Sequence, residues 1–151
     1  MEDFHHSKGR IIYDPYRGQM KNRTQWWCIV DVDKEITRYY RHLVNKNVLN
    51  PLDLPTMSLY EPAWNAHASA CRGEYIAPEL THLWKKYHNQ IVEFDYSNYV
   101  FQPLNNPNFW CIVVKCPMID VIRAELGLKT FYSYHITVGR TYKEFSQSTS
   151  L

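Results

Sequence analysis

The sequence predicts an α+β fold of two similar halves. Three features predict it: a strand phrase that occurs twice, a helix after each copy, and a His-x-Ser/Thr tripeptide after each helix. Trp26-Trp27-Cys28-Ile29-Val30 reads as a buried strand, and Phe109-Trp110-Cys111-Ile112-Val113 nearly repeats it. The tripeptides are His67-Ala68-Ser69 and His135-Ile136-Thr137. Chance readily supplies one such element, but hardly the same three in the same order twice.

In the first half Asp33 suits an N-cap, and Ile36, Tyr40, Leu43 and Val44 line one face of a helix ending near Asn47. In the second, Pro117 suits the first turn, Met118, Ile119, Ile122 and Leu126 form the buried stripe, and Gly127 suits the stop. Between the halves Pro78 opens a third predicted helix, with Leu80, Leu83, Trp84 and Tyr87 on its apolar face. Ile91 to Tyr96 and Tyr99 to Gln102 read as two strands joined by a Ser97-Asn98 turn. Residues 103–108 read as a loop, and so does the Pro-rich stretch 48–62. Residues 1–24 read as an N-terminal arm and 146–151 as a frayed tail. No linker interrupts the rest, so residues 1–151 are predicted to form one domain.

Composition narrows the function classes. Twelve Tyr, five Trp and six Phe exceed what one core of this size needs, which points to stacking surfaces or to a Tyr-rich core. A net charge of +2 is too mild for a general nucleic-acid binder. The basic opening (Lys8, Arg10, Arg17, Lys21, Arg23) suits either phosphate contacts or a solvated arm. Cys28, Cys71, Cys111 and Cys116 show no framework spacing, and reduced thiols are the expectation. The N-terminus lacks signal-peptide order and no apolar run approaches ~18 residues, which predicts a soluble, cytoplasmic protein.

The tripeptides carry the chemistry. In a strand, residues i and i+2 share a face, so each tripeptide presents an imidazole beside a hydroxyl. If the halves are related by a pseudo-twofold axis, both pairs face one cleft, and that suits phosphodiester cleavage. One neutral His takes a proton from the attacking oxygen, the other gives one to the leaving oxygen, and the hydroxyls donate to the non-bridging oxygens. Histidine fits because its unperturbed pKa of ~6.5 allows both protonation states near neutrality.

Paired tripeptides of this kind, standing here as Ala66-His67-Ala68-Ser69 and Tyr134-His135-Ile136-Thr137-Val138-Gly139, resemble the 2H phosphoesterase superfamily, the LigT-like fold. The resemblance covers roughly residues 25–142. It implies a bilobal fold of two antiparallel sheets with flanking helices and a central cleft, and an enzyme that needs no metal or other cofactor. Within that superfamily the Tyr-rich start and Trp-rich halves are similar to bacteriophage anti-CBASS phosphodiesterases, which destroy cyclic di- and trinucleotide signals of a bacterial immune system. This narrower resemblance implies hydrolysis of 3′–5′ linkages in signals such as cyclic GMP-AMP, in the cytoplasm of the infected host. The ribose 2′-OH would attack first and form a 2′,3′-cyclic phosphate. Carried over, His67 and His135 are the acid–base pair and Ser69 and Thr137 the phosphate donors. Tyr13 and Trp64 are candidates for stacking on bases, and Glu144 for accepting from a purine amino group. No membrane and no obligate protein partner is implied.

The residues also admit other readings, of which a metal site is the first. Cys111 and Cys116 lack a second Cys pair, so they make no zinc-ribbon pattern. His82 and His88 lie six apart on the predicted helix, a rotation of about 240°, and do not share one face. A non-catalytic nucleotide- or RNA-binding module is a second rival, and it would need exposed sheet aromatics rather than paired histidines. An enzyme acting on 2′,3′-cyclic phosphates at RNA ends, or an RNA-ligase-type 2H protein, is the third.

Overall fold

The computed structural model describes residues 3–16, 24–46, 59–62 and 65–141. Its strands are β1 (Phe4–Tyr13), β2 (Trp27–Asp31), β3 (His67–Arg72), β4 (Ile91–Phe101), β5 (Phe109–Lys115) and β6 (Tyr134–Arg140). Helix α1 (Lys34–Asn45) joins β2 to β3, and α2 (Pro117–Glu125) joins β5 to β6. All six strands form one closed antiparallel barrel in the order β1-β2-β3-β6-β5-β4.

That order is unchanged when the halves are exchanged, β1 for β4, β2 for β5 and β3 for β6. Each half is therefore a β-β-α-β unit, and the pseudo-twofold axis passes through the β3–β6 pair. The helices obey the same exchange: α1 packs against β6, and α2 against β3 and β4. Each half thus covers a strand of the other, and the apolar surface of one is buried only when both are folded. Ala68, Ala70, Ile112, Val114, Ile136 and Val138 from the sheet meet Tyr40 of α1 and Ile119 and Ile122 of α2 in one core. Among the described residues no helix is long and apolar enough to cross a membrane.

The two helices follow from their sequences. Asp33 caps α1, its carboxylate accepting from the Glu35 amide at 2.9 Å, and Tyr40 and Val44 are buried while Ile36 and Leu43 pack at the edge of the core. The last helical residue is Asn45, and Asn47 lies outside the described residues. In α2 Pro117 stands in the first turn, where a missing N–H costs nothing, and Gly127 follows the helix at φ 73°, a left-handed conformation that glycine adopts without a Cβ penalty.

Three expectations need correction. Residues 4–13 are not an arm but a barrel strand. Phe4–Arg10 pairs with β4 and Arg10–Tyr13 with β2, so β1 closes the barrel. Its polar start, Phe4-His5-His6-Ser7-Lys8, carries no strand pattern, and backbone pairing with β4 supplies the order instead. Gly9 permits the closure, since a Cβ there would lie 2.6 Å from Val30 Cγ1 and 2.7 Å from the Asp31 carbonyl oxygen.

The predicted third helix is a short 3₁₀ helix, Pro78–Leu83, followed by turns to Asn89. Trp84 is extended (ψ 133°), which ends the helical ladder, and Lys85 and Asn89 have left-handed φ of 76° and 71°. The Trp84 indole is drawn instead against Tyr13 and Trp26, its N–H donating to the Asp14 carboxylate at 3.1 Å. The apolar residues of that stretch do meet the core, but by turns rather than along a helical stripe.

The predicted turn at Ser97-Asn98 is a bulge within one continuous strand, β4. Tyr96 pairs with Val114 and Val100 with Ile112, so residues 97–99 stand opposite Val113 alone. Ser97 holds this bulge. Its hydroxyl donates to the Tyr99 carbonyl at 2.9 Å and accepts from the Val113 amide at 3.0 Å, with the residue 0% exposed. Replacing Ser97 by Ala strands a buried amide, and the expected loss is about 1–3 kcal/mol of unfolding free energy by urea titration. An unchanged midpoint would mean that water replaces the hydroxyl.

Candidate active site

The paired tripeptides meet at the barrel's pseudo-twofold axis. Ala68 of β3 is the direct partner of Ile136 of β6, and both side chains are buried, at 1% and 0% exposure. Antiparallel pairing then sets His67 opposite Thr137 and Ser69 opposite His135 on the other face of the sheet. Directly opposed residues bring their Cβ atoms to about 5 Å, and diagonal neighbours lie ~7–8 Å apart. The two imidazoles therefore occupy opposite corners of a small square with the two hydroxyls at the others. All four side chains line one cleft of about 460 Å³.

Each histidine has its own surroundings. His67 donates from Nδ1 to the Asn65 carbonyl at 2.6 Å, and its ring meets the buried Trp27 ring edge-on, centroids 5.7 Å apart. A carbonyl only accepts, so Nδ1 keeps its hydrogen and Nε2 is the nitrogen that gains and loses a proton. His135 is exposed to solvent at its rim, yet protein atoms pack around its ring, and that desolvation draws its pKa below the ordinary 6.5.

The hydroxyls are also oriented. Trp27 donates its indole N–H to Ser69 Oγ at 3.1 Å, which fills an acceptor position and leaves the Ser69 hydrogen to point elsewhere. Thr137 Oγ1 lies 3.7 Å from Cys111 Sγ. Burial raises the Cys111 pKa to about 11, so its thiol keeps the proton with which it can serve Thr137 in the same sense. All four cysteines are buried free thiols.

A β-bulge follows each tripeptide. Ile29 pairs with Ser69 but Cys28 with Cys71, leaving Ala70 as the extra residue; Cys111 pairs with Thr137 but Trp110 with Gly139, leaving Val138. The carbonyl of each bulged residue accepts from an arginine on the other half's helix. Arg123 of α2 reaches Ala70 at 2.8 Å, and Arg41 of α1 reaches Val138 at 2.9 Å. Arg123 is 3% exposed and is held by a two-point pair with Glu74 at 2.7 and 2.6 Å, which also lowers the Glu74 pKa. Arg41 lies 3.7 Å from Glu61. Because the bulge reverses strand parity, Arg72 returns to the cleft face, where it stacks over Trp27 at 5.0 Å. The equivalent register pair in the second half is Phe109 with Arg140, and Phe109 lines the same cleft.

Of the residues singled out in the sequence, His67, Ser69, His135 and Thr137 thus come together. Tyr13 does not join them. It is 3% exposed, packed edge-on against Trp84 at 4.8 Å, and belongs to the core rather than to a stacking surface. Strand parity explains this, since Gly9, Ile11 and Tyr13 all turn inward from β1. Trp64 and Glu144 lie outside the described residues. Trp27, Arg72 and Phe109 were not anticipated. Trp27 and Phe109 are legible only once the strand register is known, and nothing in the sequence marks the bulge that re-aims Arg72. A wider hollow of about 660 Å³ beside α1, lined by Lys34, Arg38, Arg41 and Glu61 among others, has no histidine in its described lining. Among the described residues no three His, Cys, Asp or Glu side chains are grouped to hold a metal ion.

No protein-family profile, curated protein or solved structure matches the chain.

In an NMR titration of ring Cε1–Hε1 signals, His135 is expected to titrate below 6.5, the ordinary value from which burial displaces it. A midpoint at or above that value would contradict the crowding described for its ring.

Proposed function

We propose that the protein is a 2H-type phosphodiesterase that hydrolyses 3′–5′ linkages of cyclic di- and trinucleotide signals, such as 3′,3′-cyclic GMP-AMP, in the cytoplasm of an infected bacterium, silencing its CBASS response. The observation that carries the reading is the β3–β6 register, which sets His67 opposite Thr137 and Ser69 opposite His135 around one point. A phosphate at that point meets a nitrogen on two opposite sides and a hydroxyl on the other two. That is the set of groups an in-line displacement at phosphorus requires, with no redox step and no Lewis acid to supply.

Deprotonation of the ribose 2′-OH falls to His135. Its lowered pKa keeps it neutral at pH 7, so it can take the proton as the oxygen attacks phosphorus. The bond that breaks runs to the 5′-oxygen of the next nucleotide. His67, its Nδ1–H tied to the Asn65 carbonyl, gives the Nε2 proton to that oxygen. Ser69 and Thr137 donate to the non-bridging oxygens, where charge builds, and Arg72 adds a positive charge at the cleft wall. The 2′,3′-cyclic phosphate then opens by the reverse assignment: His67, now neutral, activates water, and His135, now protonated, returns a proton to the 2′-oxygen.

Each His→Ala variant is expected to lose about 10²–10⁴-fold in kcat, and Ser69→Ala or Thr137→Val about 10²–10³-fold. Product chromatography in EDTA should show cyclic GMP-AMP opening, while an analogue lacking the 2′-OH resists. Inertness toward cyclic dinucleotides together with turnover of RNA carrying a terminal 2′,3′-cyclic phosphate would move the substrate class to RNA ends. Loss of all activity in EDTA would sink the metal-free reaction.

The pH dependence of kcat/KM should be bell-shaped. Its rising limb belongs to the group that must be deprotonated, so it lies below 6.5 if His135 is the base, because the His135 pKa is lowered. The rising limb should vanish in His135→Ala, and its persistence there would reverse the assignment.

A further inference from the structure

The two halves do not carry the same hydroxyl. Ser69 and Thr137 occupy matching places, Ser69 opposite Ile29 and Thr137 opposite Cys111. The neighbours one pair further along the strands differ too: Trp27 pairs with Arg72 in the first half, and Phe109 with Arg140 in the second. We infer that Trp27 is a positioning residue acting through Ser69, its indole N–H doing for a serine what the β-methyl does for Thr137. The inference rests on the phosphodiesterase reading for the reaction, but the placing of the hydroxyl is measurable without turnover.

Serine has a single heavy atom on Cβ, so three staggered rotamers are open to it and its hydroxyl turns in each. Threonine carries a second heavy atom there, which restricts χ1. Thr137 is thus stiffened by its own chemistry. Its Oγ1 lies 3.7 Å from Cys111 Sγ, and a thiol is only a weak donor. Phe109, the counterpart of Trp27, has no polar side-chain atom to offer.

Trp27 supplies what Ser69 lacks. The indole is 1% exposed and donates to Ser69 Oγ at 3.1 Å. An indole N–H can only donate, so it fixes the oxygen as acceptor and turns the hydroxyl hydrogen away from the ring. Burial and two neighbours hold the ring itself. The Arg72 guanidinium lies over it at 5.0 Å, and the His67 ring meets it edge-on with centroids 5.7 Å apart. A rigid donor behind the oxygen leaves the hydrogen free to point into the cleft that Ser69 lines, toward a phosphate oxygen.

Trp27→Phe removes the N–H and keeps an aromatic ring beside His67 and Arg72. With cyclic GMP-AMP as substrate, kcat/KM should fall about ten-fold. The same substitution in the Ser69→Ala background should cost nothing further, because a residue acting through the hydroxyl has no effect once it is gone. Ser69→Thr should restore most of the loss in Trp27→Phe without raising its melting temperature. Thr137→Ser, which keeps the hydroxyl with no indole behind it, should lose a similar factor. Equal losses from Trp27→Phe with and without the Ser69 hydroxyl would reduce Trp27 to a packing residue and overturn the inference.

Two measurements need no turnover. Ser69→Ala should move the Trp27 indole N–H signal upfield in a ¹H–¹⁵N spectrum; an unmoved signal would overturn the inference even if Trp27→Phe fails to fold. Inorganic phosphate, titrated against the ring signals of His67 and His135, should bind wild type more tightly than Trp27→Phe, with Ser69→Thr again restoring it. That pattern in a protein inert toward every cyclic dinucleotide would keep the positioning role and remove the proposed activity. Cleavage of cyclic GMP-AMP at an unchanged rate by folded Trp27→Phe would do the reverse. A wild type that neither cleaves it nor binds phosphate would remove both.

Discussion

The pairing of Ala68 with Ile136 is the contact on which the rest of the molecule turns. It joins the two β-β-α-β halves at their axis and buries two apolar side chains beneath the site. A slip of one residue would exchange the faces of β6 against β3 and send His135 and Thr137 into the core. Ile136 and Val138 would then face water, so the hydrophobic cost of a slip and the loss of the site are the same event. The core thus enforces the register that the proposed chemistry needs.

Near-symmetry gives the site its square of groups, and departures from symmetry give the two histidines unequal surroundings. His67 is tied through Nδ1 to a carbonyl, whereas desolvation lowers the pKa of His135. An indole N–H orients Ser69, and a buried thiol lies against Thr137. A strictly symmetric pair would have equal proton affinities, and neither ring would be biased toward base or acid. Unequal surroundings remove that degeneracy without moving either ring from its corner.

Much of the fold was legible because local signals and the core agreed. The Asp33 cap, the Pro117 start and the Gly127 stop each act within a single turn, and the stripes of α1 and α2 face what they were expected to face. Where a long-range contact decides, the sequence misleads. Trp84 leaves its helical stripe for Asp14, seventy positions earlier in the chain, and the polar start of β1 is a strand because β4 pairs with it. Ser97-Asn98 has turn chemistry, yet the Ser97 hydroxyl spends it on a bulge. The tripeptides themselves were readable since i and i+2 share a strand face whatever the partner strand. Tyr13 was misjudged because aromatic character does not reveal which way a strand side chain points.

The repeat itself shows why the remaining site residues were hidden. By sequence, Trp27 aligns with Trp110. By register, Trp27 pairs with Arg72 as Phe109 pairs with Arg140, so Phe109 is the counterpart of Trp27 and Trp110 that of Cys28. The best match of letters is therefore one residue out of step with the match of positions, and one step in a strand is a change of face. The bulges at Ala70 and Val138 compound the effect, because an extra residue shifts parity without leaving a mark in composition. Each bulge carbonyl is held by an arginine from the opposite half, Arg123 on Ala70 and Arg41 on Val138. The two helices thereby fix where each strand turns after its tripeptide. This reciprocal bracing makes each half-site depend on the other half's helix, so the repeat can supply a site only when both copies are folded together.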